Sequence, residues 1–290
     1  MHPIINEIVL AETKPSIRNC SKFLYNIRQY CLKFGEDTKE YKNLFLMIEC
    51  IIHNIEKDHL RQYLIFLKDT FQYMEKYFYE SGMRLIISEM EIIIPKIIML
   101  YPEDKALLYD CKSAVAYQFD NDIQKAIEYE TQALNFIEKL TKKNALLVSN
   151  LNANLGGLYS ITDNYELAEK HIYDGLHILQ QFSIYNHDMA VQICNYLGIA
   201  IKRGYSEKAL KLLENFAEQF KKENAMLDYA VISEYLGSIY TNMNMYDKAN
   251  YYLDTALNIY REQLDEDTLK SKYENIYLMQ SHIKLLENKK

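Results

Sequence analysis

Residues 147–181 read LVSNLNANLGGLYSITDNYELAEKHIYDGLHILQQ, and this stretch decides the fold. Leu151, Leu155 and Leu158 fall on one helical face, the Thr162-Asp163-Asn164 turn follows, and a second amphipathic run carries Leu167, Ala168, His171, Ile172, Gly175, Leu176 and Leu179. Apolar residues at three- and four-residue steps on both sides of a polar turn predict two antiparallel helices. The small residues have a packing role. Gly156 and Ala168 face one another so that the two helices approach closely, and Gly175 leaves room for the next unit. Tyr159 fills the wedge between helices.

The pattern recurs outward from this stretch. Leu155-Gly156, Leu197-Gly198 and Leu236-Gly237 each precede an alanine, at Ala168, Ala209 and Ala249, and a blurred copy has Ala114 in place of the glycine with Ala126 and Ala133 after it. The intervals from Ala126 to Ala168, Ala168 to Ala209 and Ala209 to Ala249 are 42, 41 and 40 residues. A period near 40 with small residues at fixed phases is the mark of stacked helical hairpins. In the copy at Leu197-Gly198 the turn reads one residue shorter, near Gly204-Tyr205. The first hundred residues read as further helices, roughly 15–34, 37–55, 58–79 and 84–100, with Gly35 and Ser81-Gly82 as breaks and Pro95 as a kink or early stop. The expected division is a helical region over 1–102, repeats over 103–266 and a capping helix over 267–290. A dimer contact through the terminal helices is the alternative use of that last element.

Composition bounds the function. With only 8 glycines and 4 prolines in 290 residues, there is little room for strands and tight turns. A net charge of −7 argues against a general nucleic-acid binder. The 26 tyrosines suit helix seams, where the ring is buried and the hydroxyl reaches a partner. The five cysteines are scattered without a C-x-x-C, which fits a reducing cytoplasm and argues against structural zinc or a disulfide framework. Residues 1–10 lack the basic start of a signal peptide, and the apolar run at 92–100 is too short to span a bilayer. No H-E-x-x-H, phosphate-cradling glycine loop or G-x-S-x-G elbow is present, so no enzyme, metal or cofactor is expected.

These motifs resemble the tetratricopeptide repeat (TPR), on the copies Leu155-Gly156…Tyr159…Ala168…Ile172…Gly175 and Leu236-Gly237…Tyr240…Ala249…Leu253…Ala256. The period exceeds that family's usual length. It is similar to the long variant of kinesin light chains and of the bacterial Rap, Rgg and PlcR class of peptide sensors. The resemblance covers about residues 105–265. It implies an all-α, right-handed superhelical solenoid of antiparallel helix hairpins, whose first helices line a concave groove for a peptide or protein segment. The groove residues it implies are Lys112, Asn150, Asn154, Gln192, Asn195, Tyr196, Lys202, Arg203, Glu234, Tyr235 and Asn242, beside Val115, Ala153, Gly157 and Ser238. Asparagine is a poor helix-interior residue, and its amide both donates and accepts, as main chain requires. Asn150, Asn152, Asn154 and Asn195, in or near these faces, therefore call for an explanation: either they contact a ligand or the exposed face of the first helices is merely polar. Lys202 and Arg203 either complement a helix C-terminus or receive an acidic group. The resemblance implies a cytoplasmic bacterial regulator or adaptor. A scaffold without a ligand switch and a DNA-binding regulator of the same class are the alternatives.

Overall fold

The computed structural model describes residues 15–33, 41–202 and 207–287, and within these not the side chains at 32–33, 41, 188, 197, 200–202 and 207–209. The described chain is all α. In order, its helices are α1 (Ser21–Lys33), α2 (Tyr41–Asn54), α3 (Leu60–Lys76), α4 (Glu80–Ile93), α5 (Pro102–Gln118), α6 (Ile123–Asn135), α7 (Ala145–Ile161), α8 (Tyr165–Gln181), α9 (His187–Lys202), α10 (Glu207–Lys222), α11 (Met226–Asn242), α12 (Tyr246–Gln263) and α13 (Glu266–Glu287). They form two compact units, Met1–Lys139 and Leu140–Lys290. The hairpin α5–α6 belongs to the first unit.

In the first unit α3 packs on α1 and α4, α4 on α2 and α5, and α5 on α6. Its core includes Phe45, Ile48, Tyr63, Phe66, Leu67, Met74, Met83, Ile86 and Cys111. Two expectations are corrected here. Ser81-Gly82 is not a break. The chain turns at Phe78, which takes a left-handed φ of 52°, and Gly82 lies buried inside α4, where a Cβ would collide with Met74 and approach Tyr79 Cδ1 to 2.7 Å. That glycine leaves room for the Met74 and Tyr79 side chains. Nor does α4 run to Leu100. It ends at Ile93, followed by a 3₁₀ turn at Ile94–Lys96 that contains Pro95, because proline cannot donate to the preceding turn. In α5 the small residue against the partner helix is Ser113, whose hydroxyl donates to the Ala126 carbonyl at 3.1 Å.

The second unit is a serial stack. The hairpins are α7–α8, α9–α10 and α11–α12, each first helix contacts the next, and α13 packs on α11 and α12. The turns of α7–α8 and α11–α12 share one chemistry. Asp163 and Asn244 take left-handed φ values of 59° and 58°. The next amide then donates back to the helix, Asn164 N to Tyr159 O and Met245 N to Tyr240 O, both 2.9 Å. A single left-handed residue thus satisfies carbonyls that the helix end would leave open. In the first hairpin Asn164 also caps α8 by accepting from Leu167 N.

Burial fixes the repeat register. Val148, Ser149, Leu151, Leu155 and Leu158 of α7 correspond to Met189, Ala190, Gln192, Tyr196 and Ile199 of α9 and to Tyr229, Ala230, Ile232, Leu236 and Ile239 of α11, all buried. The steps from Val148 to Met189 and from Met189 to Tyr229 are 41 and 40 residues. In α13, Ile276 stands 40 residues after Leu236 and is fully buried. Gly156 and Gly237 sit at the crossing. A Cβ at Gly156 would collide with Ile172 and lie 3.1 Å from the Ala168 carbonyl, and one at Gly237 would lie 2.6 Å from Leu253 Cγ and 3.3 Å from the Ala249 carbonyl. Gly198 differs, since nothing lies within 4 Å of a Cβ built there. Its counterpart is the open Gly157, and Tyr196 takes the place of Leu155. The Leu197-Gly198 pair is therefore one residue out of step with the other two: position 197, not Gly198, precedes Ala209 by the 12 residues that separate Gly156 from Ala168 and Gly237 from Ala249, and the turn near Gly204-Tyr205 lies outside the described residues.

Two tests follow from this packing. Gly156→Ala should destabilise by about 1–3 kcal/mol through overpacking, whereas the adjacent Gly157→Ala should stabilise by about 0.5–1 kcal/mol by removing helical glycine from an open position. Urea unfolding of both variants measures this, and equal effects would contradict the close crossing. The second test concerns Glu75 on α3. Burial, then the Asp110 charge, raise its carboxyl from 4.5 to about 7, against a 3.3 Å bond from Gln118 Nε2 that favours the carboxylate. The folded state therefore holds a proton that the unfolded chain releases. Its contribution is full below about 4.5 and is lost as pH rises through about 7. In Glu75→Gln, the fall in melting temperature between slightly acidic and slightly alkaline pH should shrink; an unchanged pH slope would sink the assignment.

Candidate functional site

The exposed face of the first helices lies opposite their buried faces: in α7, Asn150, Asn154, Gly157 and Ile161 follow at three- and four-residue steps on the side away from Leu151, Leu155 and Leu158. In the common register this stripe carries Asn154, Asn195, Tyr235 and Asn275 at equivalent positions, all exposed. Beside that row runs a second one of Gly157, Gly198 and Ser238, where the two glycines leave open space. On the other side lie Asn150, Val191 and Val231, of which Val191 is 43% exposed. The face from α7 to α11 is thus lined by amides, a phenol, small residues and two valines.

The sequence-derived residues divide clearly. Asn154, Asn195 and Tyr235 form the row, and Asn242 is exposed at the end of α11. Asn150 borders it, but its side-chain oxygen accepts from Gln192 Nε2 at 3.2 Å. Gln192 and Tyr196 do not face solvent. Gln192 is 3% exposed and lies 2.9 Å from the Ser149 hydroxyl, which sits equally close to the Gly175 carbonyl. This buried polar link joins successive hairpins and leaves no space for a Cβ at Gly175. Tyr196 is buried and donates to Glu169 at 3.2 Å. Asn152 is likewise internal, donating to Val148 O and pairing with His171 Nδ1. There Tyr159 stacks on His171, whose pKa is lowered by burial.

Glu234 is held by neighbours, accepting from Tyr260 at 3.0 Å and Lys272 at 2.9 Å, with the ammonium 5.2 Å from the Tyr260 ring. The same Lys–Glu–Tyr set recurs as Lys248, Glu214 and Tyr240, and in the first unit as Lys57, Glu89 and Tyr63. Lys112 belongs to the first unit. It pairs with Glu91 at 2.6 Å and lies over Tyr109 at the wall of a pocket of about 280 Å³, while Val115 is buried. The Lys202 side chain and Arg203 lie outside the described residues. Asn275 was not found from the motifs, because α13 reads as a cap without a Leu-Gly pair. Counting 40 residues on from Tyr235 reaches it.

The face offers hydrogen bonding without an obvious reactive group. Burial, then the Glu234 charge, push the Cys194 thiol up to about 12, so it stays protonated at neutral pH and is a poor nucleophile. Among the described residues no cluster of three or more His, Cys, Asp or Glu side chains could hold a metal ion. No described helix is long and apolar enough to cross a membrane.

No family model matches the sequence, and no curated protein does. Solved structures match the fold. RapI in its apo form is similar with a TM-score of 0.63 at 15% identity, over 92% of this chain and 71% of that one. A Rap protein complexed with Competence and Sporulation Factor matches at 0.52 and 16%, over 92% and 70%. BtubC from P. vanneervenii matches at 0.56 and 19%, over 72% of this chain and 85% of that one. A signal transduction ATPase with numerous domains and a tetratricopeptide repeat sensor, from Pyrococcus horikoshii, matches at 0.54 and 17%, and this chain spans 40% of its length. At these identities the likeness concerns architecture. The chain has a TPR-like helical-repeat fold of the Rap type.

Proposed function

We propose that this protein is a regulator or adaptor that binds a peptide or an extended protein segment along the exposed face of α7, α9, α11 and α13. The observation that carries the reading is the row Asn154, Asn195, Tyr235 and Asn275. Asparagine costs up to roughly 0.7 kcal/mol relative to alanine in a helix interior, and Asn195 and Asn275 have no hydrogen-bond partner among the described residues. For Asn195 and Asn275 stability gives no reason, whereas main-chain recognition does, since one amide can satisfy both an N–H and a C=O. The fold likeness to a Rap protein complexed with Competence and Sporulation Factor supports a ligand-binding role. The expectation of a cytoplasmic bacterial regulator of this kind belongs to the same proposal.

Peptides selected from a displayed random library on the wild-type chain provide the test. Asn154→Ala combined with Asn195→Ala should weaken them at least about tenfold, or about 1.4 kcal/mol, with helical content retained by circular dichroism. Undiminished binding by the folded double variant would remove this face as the site.

A further inference from the structure

The helix α13 leaves open a side that its counterparts keep covered. In α7 and α11 one stripe of the first helix lies under the second helix of its own hairpin. Asn152 pairs with His171 and Gly156 sits under Ile172, while Gly237 sits under Leu253 and Tyr240 stacks on Tyr252. Counting 40 residues on from Ser233, Gly237 and Tyr240 gives Tyr273, Tyr277 and Gln280 on α13. The described helices that pack on α13 are α11 and α12, and they leave this stripe bare. Tyr273 and Tyr277 are 42% and 59% exposed, with their rings stacked 6.2 Å apart. Tyr277 stands where the close crossing has glycine, so a helix laid here meets two rings instead of a backbone. Asn275 lies on the opposite side of α13, because two residues turn a helix by about 200°, and the proposed groove stays clear of such a helix.

The stripe is complementary to itself. It runs through Glu266, Lys270, Tyr273, Tyr277, Gln280 and Lys284 at three- and four-residue steps, which keeps them on one face, and all are exposed except the half-buried Gln280. The six positions are symmetric about residue 275: Tyr273 and Tyr277 lie two residues either side of it, Lys270 and Gln280 five, and Glu266 and Lys284 nine. An antiparallel copy of the same helix, related by a twofold axis at that point, therefore sets Tyr273 against Tyr277 and Glu266 against Lys284. It also sets Lys270 against the Gln280 side-chain oxygen, while the Gln280 amide nitrogen donates to Asp254 at 2.7 Å. A parallel copy in register would place like charge on like. Antiparallel is also the direction in which the second helix of each hairpin covers its first. Among the described residues neither Glu266 nor Lys284 has an ion-pair partner. Glu274, at the border of the stripe, lies one turn from Lys270 of its own helix, and the exposed Leu278 and Leu285 extend the apolar surface beyond Tyr277. We infer that α13 is a homodimer interface, packing antiparallel against α13 of a second copy of this chain.

Sedimentation equilibrium of the full chain, whose monomer mass is 34.4 kDa, tests this. The mass should double by about 100 µM chain. Tyr277→Glu, and separately Tyr273→Ser combined with Tyr277→Ser, should weaken the dimer at least about tenfold, with helical content unchanged by circular dichroism. Glu266→Lys alone and Lys284→Glu alone should each weaken it about fivefold, since each sets like charges together at two places in the dimer, and the two reversals combined should restore it. A monomer at every concentration, or a dimer that neither tyrosine variant weakens, overturns the interface. A combined charge reversal that dimerises no more tightly than the single ones overturns the antiparallel register.

Discussion

The close approach of two helix backbones at Gly156 against Ala168, repeated at Gly237 against Ala249, is the constraint on which the second unit is built. At both crossings an added methyl group would meet an aliphatic side chain and a backbone carbonyl at once. The carbonyl cannot swing aside, so each hairpin has one tight geometry. Because the interval between crossings is near 40 residues, successive first helices present their faces at equivalent rotations. The row of exposed residues is a consequence of that repetition, and its spacing is set by helix packing, not by loop conformation.

Polar side chains tie successive helices of the stack together. Tyr196, Tyr240 and Tyr260 each donate to a carboxylate on a preceding helix, and Lys248 and Lys272 add a cation to the last two of these bonds. The tyrosines thereby fill seams with their rings while their hydroxyls are satisfied, as buried phenols require. This use of polar residues decides which are available to a ligand. Gln192, Tyr196 and Glu234 serve the stack, whereas Asn195, Tyr235 and Asn275 face outward.

The hairpins, the helix order and the tight role of Gly156 were legible in the sequence because small residues and apolar steps report directly on helix contacts. The register of α9 was not. Leu197-Gly198 matches Leu155-Gly156 by residue type, but a glycine can mark either a crossing or an open position, and only burial tells Gly198 from Gly156. The same one-step error placed Gln192 and Tyr196 on the wrong face. Gly82 misled in the opposite direction, reading as a break where it permits contact. Asn275 was hidden because α13 carries no Leu-Gly pair to set its register, although its Ile276 keeps the interval.

Thermal unfolding of Gly198→Ala beside Gly237→Ala tests the register most directly, since the two glycines share a Leu-Gly motif and differ only in the position assigned to them. The account predicts a raised melting temperature for Gly198→Ala, where a methyl group enters open space, and a lowered one for Gly237→Ala, where it strikes Leu253. A loss of stability at both sites would contradict the alignment of α9 with its neighbours, and with it the line of residues from Asn154 to Asn275.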